Sequence, residues 1–360
     1  MKKLLVVVGT RPNFVKVTRF KSVAALRGDM KVELVHTGQH TDARMTDVFF
    51  EQFGMQPDHV LTIADGGGAS RLGQMLIGLE PLMLRTRPDA VVVVGDVDST
   101  LAGALAANRC GIPLFHVEAG LRNGDMRMPE EVNRILTDRV ADHCFTTEPS
   151  GAENLLGEGK SQACIHFVGN TMIDTLAHYR DRIDATDVGT TTSGGHALVT
   201  IHRPANVDTK EALGRVIEML AVVASYRPVV FPVHPRTLAR LKDFGLDASL
   251  RAIAGITILP SADYFTFQKL IASSACVVTD SGGVQEETTY SGVPCLTLRP
   301  NTERPITITE GTNELLPFSS AAVRDAMQHI ADGTFKKGCV PRGWDGMATE
   351  RVLDVIARVL

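Results

Sequence analysis

The chain has 360 residues, 44% of them hydrophobic and 22% charged, which is the composition of a globular protein long enough for two domains. Its formal net charge is −4 without a run of like-signed residues, whereas a nucleic-acid-binding protein would be expected to carry a basic surplus. No apolar run approaches the roughly 20 residues that span a bilayer, and the stretch Leu4–Val8 is too short for a secretion signal, so we expect neither a nucleic-acid nor a membrane partner.

In the first half of the chain, short β-branched runs alternate with amphipathic segments. The runs that predict strands are 3–8, 31–36, 90–94, 113–117, 143–146 and 164–168. The segments that predict helices are 12–26, 42–53, 70–86, 98–110, 130–141 and 149–157. Because these strands are apolar on both faces and alternate with helices, they indicate a parallel, doubly wound sheet.

The polar segment 184–196 predicts a surface loop near a domain boundary, after which the alternating pattern starts again. Strands are predicted at 197–201, 228–233, 256–259, 275–279 and 294–298, and helices at 209–225, 263–274 and 284–292. A last amphipathic helix is predicted at about 347–360. We therefore expect an α/β protein of two Rossmann-like domains that face a central cleft at the carboxyl ends of both sheets.

Carboxylates follow two predicted neighbouring strands and begin the next helix. Asp96 lies just beyond strand 90–94, Glu118 just beyond strand 113–117, and Glu130 in the first turn of a helix that Pro129 starts. Sequential parallel strands are usually neighbours, so Asp96 and Glu118 should face the same crevice. Taken alone, Glu130 is typical of a helix start or of a surface pair with Arg134. It becomes a candidate catalytic residue only because the short segment "AGLRNGDMRM" keeps this helix start close to Glu118.

A different chemistry is predicted in the second half, where strand 275–279 runs through "DSGG" into a helix. Ser281, Gly282 and Gly283 would present free backbone N–H groups at a helix N-terminus with little side-chain bulk. That arrangement is typical of a phosphate site, although it also occurs in ordinary tight turns. One of the next two acids, Glu286 and Glu287, is expected to accept hydrogen bonds from sugar hydroxyls.

Basic residues from both halves of the chain complete this set. They could together balance a diphosphate and are Arg11, Lys16, His202, Arg203 and Arg304. The sequence has neither G-x-G-x-x-G nor Walker A, no metal-ligand spacing and no C-x-x-C among its six cysteines, most of which lie in apolar runs. We therefore expect no cofactor, no metal, and reduced thiols in a cytoplasmic protein.

At these residues the sequence resembles the non-hydrolysing UDP-N-acetylglucosamine 2-epimerase family, nearly from end to end. The matching motifs, in order, are "GTRPNFVK", "TGQH", "GDVDST", "HVEAGLR", "PEEVNR", "VGNTMIDTL", "HRPAN", "PVHP", "TDSGGVQEE", "GVPCLTLR", "TERP", "GTN" and "WDGMATERVL". The resemblance implies a GT-B fold and a homodimer. It also implies that residues 346–360 pack back on a first domain of residues 1–170, leaving 171–345 as the UDP-binding domain.

The family interconverts UDP-GlcNAc and UDP-ManNAc by eliminating UDP to a 2-acetamidoglucal and adding it back, which supplies sugar nucleotide for surface polysaccharide. The resemblance gives the catalytic roles to Asp96, Glu118 and Glu130, with His202 steadying the departing diphosphate. Which carboxylate serves which face of C2 is left open. By the same match, substrate binding falls to Arg11, Lys16, Phe267, Ser281, Gly282, Gly283, Glu287 and Arg304.

Three positions depart from the family pattern. Asn13 stands where many members have Glu or Gln, Ala205 where "HRxEN" members have Glu, and Asp42 where regulated bacterial members have Gln. Gln39 and His40, of the possible regulatory site, are kept. These departures predict that activation by a second UDP-GlcNAc is lost, and they are compatible with a related substrate.

The alternatives share the fold. One is a 2-epimerase of a UDP-2,3-diacetamido uronate, and another is a hydrolysing epimerase, although that branch typically begins "GTRxDYG". A GT-B glycosyltransferase would need an acceptor site that the three carboxylates do not suggest. A silent sugar-nucleotide sensor would have no need of those carboxylates.

Overall fold

The structure is a computed structural model that describes residues 1–39, 50–189 and 195–360. The chain divides into two compact units, one of Met1–His178 with Arg342–Leu360 and the other of Tyr179–Pro341. These boundaries follow residues 178 and 341, whereas the sequence placed them after residues 170 and 345. Packing explains the difference: the Thr175 hydroxyl donates to the Val15 carbonyl at 2.5 Å, and the buried Trp344 indole donates to the Thr147 carbonyl at 3.1 Å.

The first unit contains a seven-stranded parallel sheet in the order β3-β2-β1-β4-β5-β6-β7. Its strands are β1 Lys2–Val8, β2 Met30–His36, β3 His59–Val60, β4 Ala90–Val94, β5 Leu114–Val117, β6 His143–Thr146 and β7 Ile165–Phe167. Its helices are α1 Arg11–Val17, α2 Phe20–Arg27, α3 Gly68–Thr86, α4 Asp98–Arg109, α5 Pro129–Val140, α6 Pro149–Gly157 and α7 Thr171–His178, with a 3-10 turn at Gln162–Cys164.

The second unit contains a six-stranded parallel sheet in the order β10-β9-β8-β11-β12-β13. Its strands are β8 Ala197–Thr200, β9 Val229–Pro232, β10 Ile256–Leu259, β11 Cys276–Thr279, β12 Cys295–Leu298 and β13 Asn313–Leu316. Its helices are α8 Arg180–Asp184, α9 Pro204–Val207, α10 Lys210–Ala224, α11 Pro235–Asp243, α12 Asp247–Arg251, α13 Tyr264–Ser273, α14 Gly282–Ser291, α15 Ile306–Thr309 and α16 Ser320–Ala331. The final helix, α17 Ala348–Val359, belongs to the first unit.

The two parallel, doubly wound sheets confirm the predicted fold class. Their central strands are buried on both faces, as the apolar runs predicted: every residue of β4 and of β11 has zero exposure. In each sheet the strand order reverses beside the first strand, between β1 and β4 in one and between β8 and β11 in the other. Such switch points open a crevice outside the carboxyl ends of the strands, and binding sites form there.

Several elements differ from the sequence-based prediction. The helix predicted at 12–26 is two helices, joined by Thr18 and Arg19. The sequence did not indicate the edge strands β3 and β13 or the helices α7, α8, α9, α11, α12, α15 and α16. Most of the helix predicted at 42–53 lies outside the described residues. Within the described ranges, none of the helices combines the length and apolar composition that a membrane span requires.

Candidate active site

Asp96 occupies the switch point of the first sheet, immediately after β4. Gly95 takes a left-handed conformation (φ 71°) that turns the chain at the strand end, and such a turn favours glycine. The Asp96 side chain accepts from the Arg134 guanidinium at 2.5 Å, and Arg134 is buried. Arg134 in turn pairs with buried Glu131 on the same helix, α5. A cation therefore holds this carboxylate in one orientation.

Glu118 lies in the equivalent position after β5, the neighbour of β4. Its φ of 69° is left-handed, a conformation that is costly for a side chain larger than glycine. Its carboxylate pairs with the Lys16 ammonium, and both side chains are more than nine-tenths buried. The strained backbone and the buried ion pair fix Glu118 at the same edge of the sheet as Asp96.

Side chains clamp the backbone that leads from β4 to Asp96. Three successive carbonyl oxygens accept from side chains on other elements. The bonds run from Asn13 Nδ2 to Val94 O (2.9 Å), from His116 Nε2 to Gly95 O (2.8 Å) and from Asn133 Nδ2 to Asp96 O (3.0 Å). A turn fixed at every carbonyl is preorganised, which is what a positioned acid or base requires.

Glu130 lies in the first turn of α5 and is exposed. Its neighbour Glu131 is the buried acid, and it accepts from the backbone N–H groups of Asn123 (3.0 Å) and Gly124 (2.9 Å). The surface pair of Glu130 with Arg134 that the i,i+4 spacing suggested is therefore wrong, because Arg134 pairs with Glu131 and Asp96. The helix start still places Glu130 one residue from this network.

The second sheet's switch point is organised by Asp280, which directly follows β11 and has zero exposure. Its carboxylate accepts from the backbone N–H groups of His202 (3.1 Å) and Arg203 (2.9 Å) and from Asn206 Nδ2 (2.9 Å). The His202 ring also lies against it, with Nδ1 3.2 Å from Asp280 Oδ1, and is 37% exposed. This carboxylate therefore joins the end of β8 to the start of the phosphate-type turn.

Ser281 is the N-cap of α14, and Gly282 and Gly283 are its first residues. The Arg304 guanidinium lies so close that a Cβ at Gly282 would be 2.8 Å from Arg304 Nη1. Arg304 pairs with Glu286 at 2.8 Å and with Glu303 at 2.7 Å. The helix start thus combines backbone N–H groups, the dipole and a cation, which together favour an anion.

Comparison with known proteins identifies the family. The family model described as UDP-N-acetylglucosamine 2-epimerase matches residues 24–357. The chain belongs to the UDP-N-acetylglucosamine 2-epimerase family. It is 38% identical to the UDP-N-acetylglucosamine 2-epimerase of Methanocaldococcus jannaschii, with 98% of each chain covered. It is 36% identical to the UDP-2,3-diacetamido-2,3-dideoxy-D-glucuronate 2-epimerase of Pseudomonas aeruginosa, covering 99% of this chain and all of the other.

The fold class is confirmed by the solved structure of the M. jannaschii UDP-GlcNAc 2-epimerase in complex with UDP-GlcNAc and UDP. It superposes with a TM-score of 0.90 at 34% identity and covers 99% of both chains. The resemblance that the motifs indicated therefore extends over both units.

The remaining residues that the family match named lie in both units. Arg11 begins α1 and Lys16 lies on the same helix, so both belong to the first unit. Phe267 is half-buried on α13 and packs beside a cluster of apolar residues, and Glu287 is buried on α14. Gln39 accepts from the Ser99 backbone N–H at 3.0 Å and from its hydroxyl at 2.5 Å. His40 and Asp42 lie outside the described residues.

Sequence reasoning missed the partners that hold the carboxylates, above all Arg134, Glu131 and Asp280. The signals were present in part, since "PEEVNR" contains both acids and the arginine, and "TDSGG" contains the aspartate. From the sequence, an aspartate before "SGG" is expected to be a turn residue. Only the structure shows that three N–H groups of other residues donate to its carboxylate.

The cysteines are all free, and burial raises the pKa of Cys144 and Cys276 to about 12 and that of Cys295 to about 11. These thiols are packed in strands and unreactive. Among the residues that the structure describes, no group of three or more histidine, cysteine or acidic side chains is arranged to hold a metal ion.

Proposed function

We propose that this chain is an isomerase that interconverts UDP-GlcNAc and UDP-ManNAc without a cofactor. The observation that carries the proposal is the pair of carboxylates, Asp96 and Glu118, at the ends of neighbouring parallel strands in a chain of this family. Each is held by a buried cation, Arg134 or Lys16. A turn fixed at successive carbonyls supports the first, and a strained backbone holds the second.

The proposed reaction uses these carboxylates in two balanced steps. A carboxylate takes the proton from C2 of the sugar, the C2–H electron pair forms the C1=C2 bond, and the C1–O bond breaks so that UDP leaves with its electrons. UDP then adds back to C1 while a carboxyl group returns a proton to the other face of C2. Removal of a proton from so weak a carbon acid requires a positioned base, typically worth about 10²–10⁴ in rate. Asp96, Glu118 and Glu130 are the groups proposed for these transfers.

The departing diphosphate is assigned to the second sheet's switch point. There the start of α14, at Ser281, Gly282 and Gly283, offers backbone N–H groups, and Arg304 lies against it. His202 is close to the same turn through Asp280. We further assign Arg11 and Lys16 to the phosphates, Glu287 to the sugar hydroxyls and Phe267 to the uridine, on the strength of the motif match.

The proposal is tested by incubating the protein with UDP-GlcNAc alone and resolving the products. Formation of UDP-ManNAc without an acceptor supports the epimerase. Free ManNAc with UDP identifies a hydrolysing enzyme, and turnover that depends on an added acceptor identifies a glycosyltransferase. A complete absence of products from UDP-GlcNAc would contradict the proposal.

A second candidate substrate is favoured by a specific observation. The P. aeruginosa diacetamido-glucuronate 2-epimerase is nearly as similar to this chain as the M. jannaschii UDP-GlcNAc 2-epimerase, at 36% against 38% identity. Both reactions invert C2 of a UDP-sugar, so the carboxylates would serve either. The ratio of kcat/KM for UDP-GlcNAc and UDP-2,3-diacetamido-2,3-dideoxy-D-glucuronate separates the two.

We also propose a cytoplasmic homodimer that supplies sugar nucleotide for surface polysaccharide. The free cysteines are compatible with a reducing compartment. The homodimer rests on the family resemblance, and light scattering of the purified protein measures it directly.

A further inference from the structure

His116 lies within β5, in the centre of the first sheet, and has zero exposure. Its ring spans two acceptors on different elements: Nε2 is 2.8 Å from the Gly95 carbonyl oxygen and Nδ1 is 2.6 Å from Asp138 Oδ1. A buried histidine in a strand is usually a packing residue. This one instead makes two short hydrogen bonds in opposite directions.

The two bonds reach both turns that carry the proposed catalytic acids. Gly95 directly precedes Asp96, so His116 holds the peptide group that orients Asp96. The other carboxylate oxygen of Asp138 accepts from the Gly120 N–H at 3.0 Å, two residues after Glu118. His116 and Asp138 therefore connect the Asp96 turn to the Glu118 turn through side chains.

The donor roles follow from the acceptors. A carbonyl oxygen cannot donate, so Nε2 of His116 carries the hydrogen that Gly95 accepts. Burial alone would raise the pKa of Asp138, but His116 and Arg122 together hold that pKa below its usual value. Asp138 thus lies against Nδ1 as a carboxylate. Arg122 Nη2, 2.8 Å from Asp138, balances its charge.

The Glu118 turn has a backbone that needs such support. Glu118 has a φ of 69° and Gly120 a φ of 80°. At Gly120 a Cβ would be 2.2 Å from the Gly151 carbonyl oxygen, so the turn packs backbone against backbone. Conformations of this kind persist only where the surroundings over-determine them. The bond from Asp138 to the Gly120 N–H is one of those constraints.

We propose that His116 is a positioning residue that fixes the spacing of the Asp96 and Glu118 turns for the proton transfers at C2, an inference that rests on the proposed epimerase function. A displacement of about 1 Å at a reacting group can lower the rate about 100-fold. The hydrogen bond that matters most for Asp96 is the one from Nε2 to Gly95.

Two substitutions separate the two bonds of the ring. In His116→Gln the side-chain amide nitrogen reaches the place of Nε2 and can still donate to Gly95, whereas in His116→Asn the amide reaches only the place of Nδ1 and keeps Asp138. We expect His116→Asn to lower kcat about 10- to 100-fold with little change in KM, and His116→Gln to retain at least about tenfold more kcat than His116→Asn. His143→Asn is the control, because His143 is half-buried on the adjacent strand, stacks on Phe115 and touches neither turn.

A loss of folded protein would lower the number of UDP-binding sites, so kcat is expressed per site titrated with UDP. Amide hydrogen exchange gives a readout that does not depend on activity: exchange in the peptide around Gly95 should be faster in His116→Asn than in His116→Gln. If the wild-type protein turns over no UDP-sugar, the proposed function fails and the exchange experiment still decides the positioning. Equal exchange in both variants, or equal kcat in both, would overturn the role of His116.

Discussion

At the scale of single residues, the candidate site is a set of charges held by opposite charges. Asp96 is held by Arg134, which is 38 positions later in the sequence, and Glu118 by Lys16, which is 102 positions earlier. The carboxylates could be predicted because they follow apolar runs that end at the crevice edge of a parallel sheet. Their partners could not, because the nearest spacing rule paired Arg134 with the wrong glutamate.

The carboxylate assignment predicts large kinetic effects from small changes. We expect Asp96→Asn and Glu118→Gln each to lower kcat at least about 100-fold, the usual loss for a missing acid or base. UDP affinity should change far less, because the helix start and Arg304 assigned to the diphosphate lie in the second unit. Initial rates and calorimetry with UDP measure the two quantities, and near-normal kcat in both variants would contradict the assignment.

The buried pair of Lys16 and Glu118 predicts an effect on stability. Removing the cation in Lys16→Met leaves a buried carboxylate without its partner, which costs about 3–5 kcal/mol in the free energy of unfolding. Urea denaturation, followed by a probe placed in the first unit, measures that cost. Adding Glu118→Gln to Lys16→Met should recover part of it.

The matched control for this pair is Arg127, whose side chain is 91% exposed beside Asp125. Arg127→Gln should leave the free energy of unfolding nearly unchanged, as for other exposed pairs. If the Lys16→Met protein were as stable as Arg127→Gln, the buried pair would contribute less to the free energy of unfolding than expected.

At the scale of secondary structure, the central strands were predictable from the sequence, whereas two of the four edge strands, β3 and β13, were not. Runs such as Ala90–Val94 and Cys276–Thr279 are apolar on both faces. In a chain of alternating strands and helices, that pattern predicts a buried strand of a parallel sheet. These two edge strands lack the pattern, because β3 has two residues and β13 begins with Asn313 and Glu314. Short helices such as Asp247–Arg251 also carry too few turns to show a period.

The start of α14 predicts a specific effect on nucleotide binding. A Cβ at Gly282 would lie 2.8 Å from Arg304 Nη1, so Gly282→Ala must displace the guanidinium. We expect the Kd for UDP to rise at least about tenfold, equivalent to a lost charge-assisted hydrogen bond of about 1.5 kcal/mol. Calorimetry with UDP measures this change.

Gly214, inside α10, is the matched control, because a Cβ there meets nothing within 4 Å. Gly214→Ala should leave the Kd for UDP unchanged and stabilise the helix by about 0.5–1 kcal/mol. If Gly282→Ala binds UDP as tightly as Gly214→Ala does, the anion site lies elsewhere.

At the scale of the whole molecule, the family match covers both units, and the chain's departures from the family pattern bear on regulation. Gln39 is engaged by Ser99 at the start of α4, and Ala205 is exposed on α9. An acid at position 42 would repel a second diphosphate if it faces the regulatory site, and the Ala205 side chain offers no hydrogen bond. The fold and the carboxylates could be predicted from the sequence, whereas the fine choice of sugar depends on contacts that no motif encodes.

These departures predict that allosteric activation is absent. Coupling of the usual size, about 1–3 kcal/mol, would be lost through such changes. We expect hyperbolic kinetics and immediate conversion of purified UDP-ManNAc, without added UDP-GlcNAc. A lag that a small amount of UDP-GlcNAc abolishes would show that the regulatory site survives.

The proposed reaction requires that a carboxylate removes the C2 proton of a UDP-sugar, and NMR of UDP-GlcNAc with the protein in D2O follows that proton. We expect UDP-ManNAc to appear without an acceptor and both epimers to acquire deuterium at C2. Appearance of UDP-ManNAc with the original C2 hydrogen retained in both epimers, or no reaction at all, would contradict it.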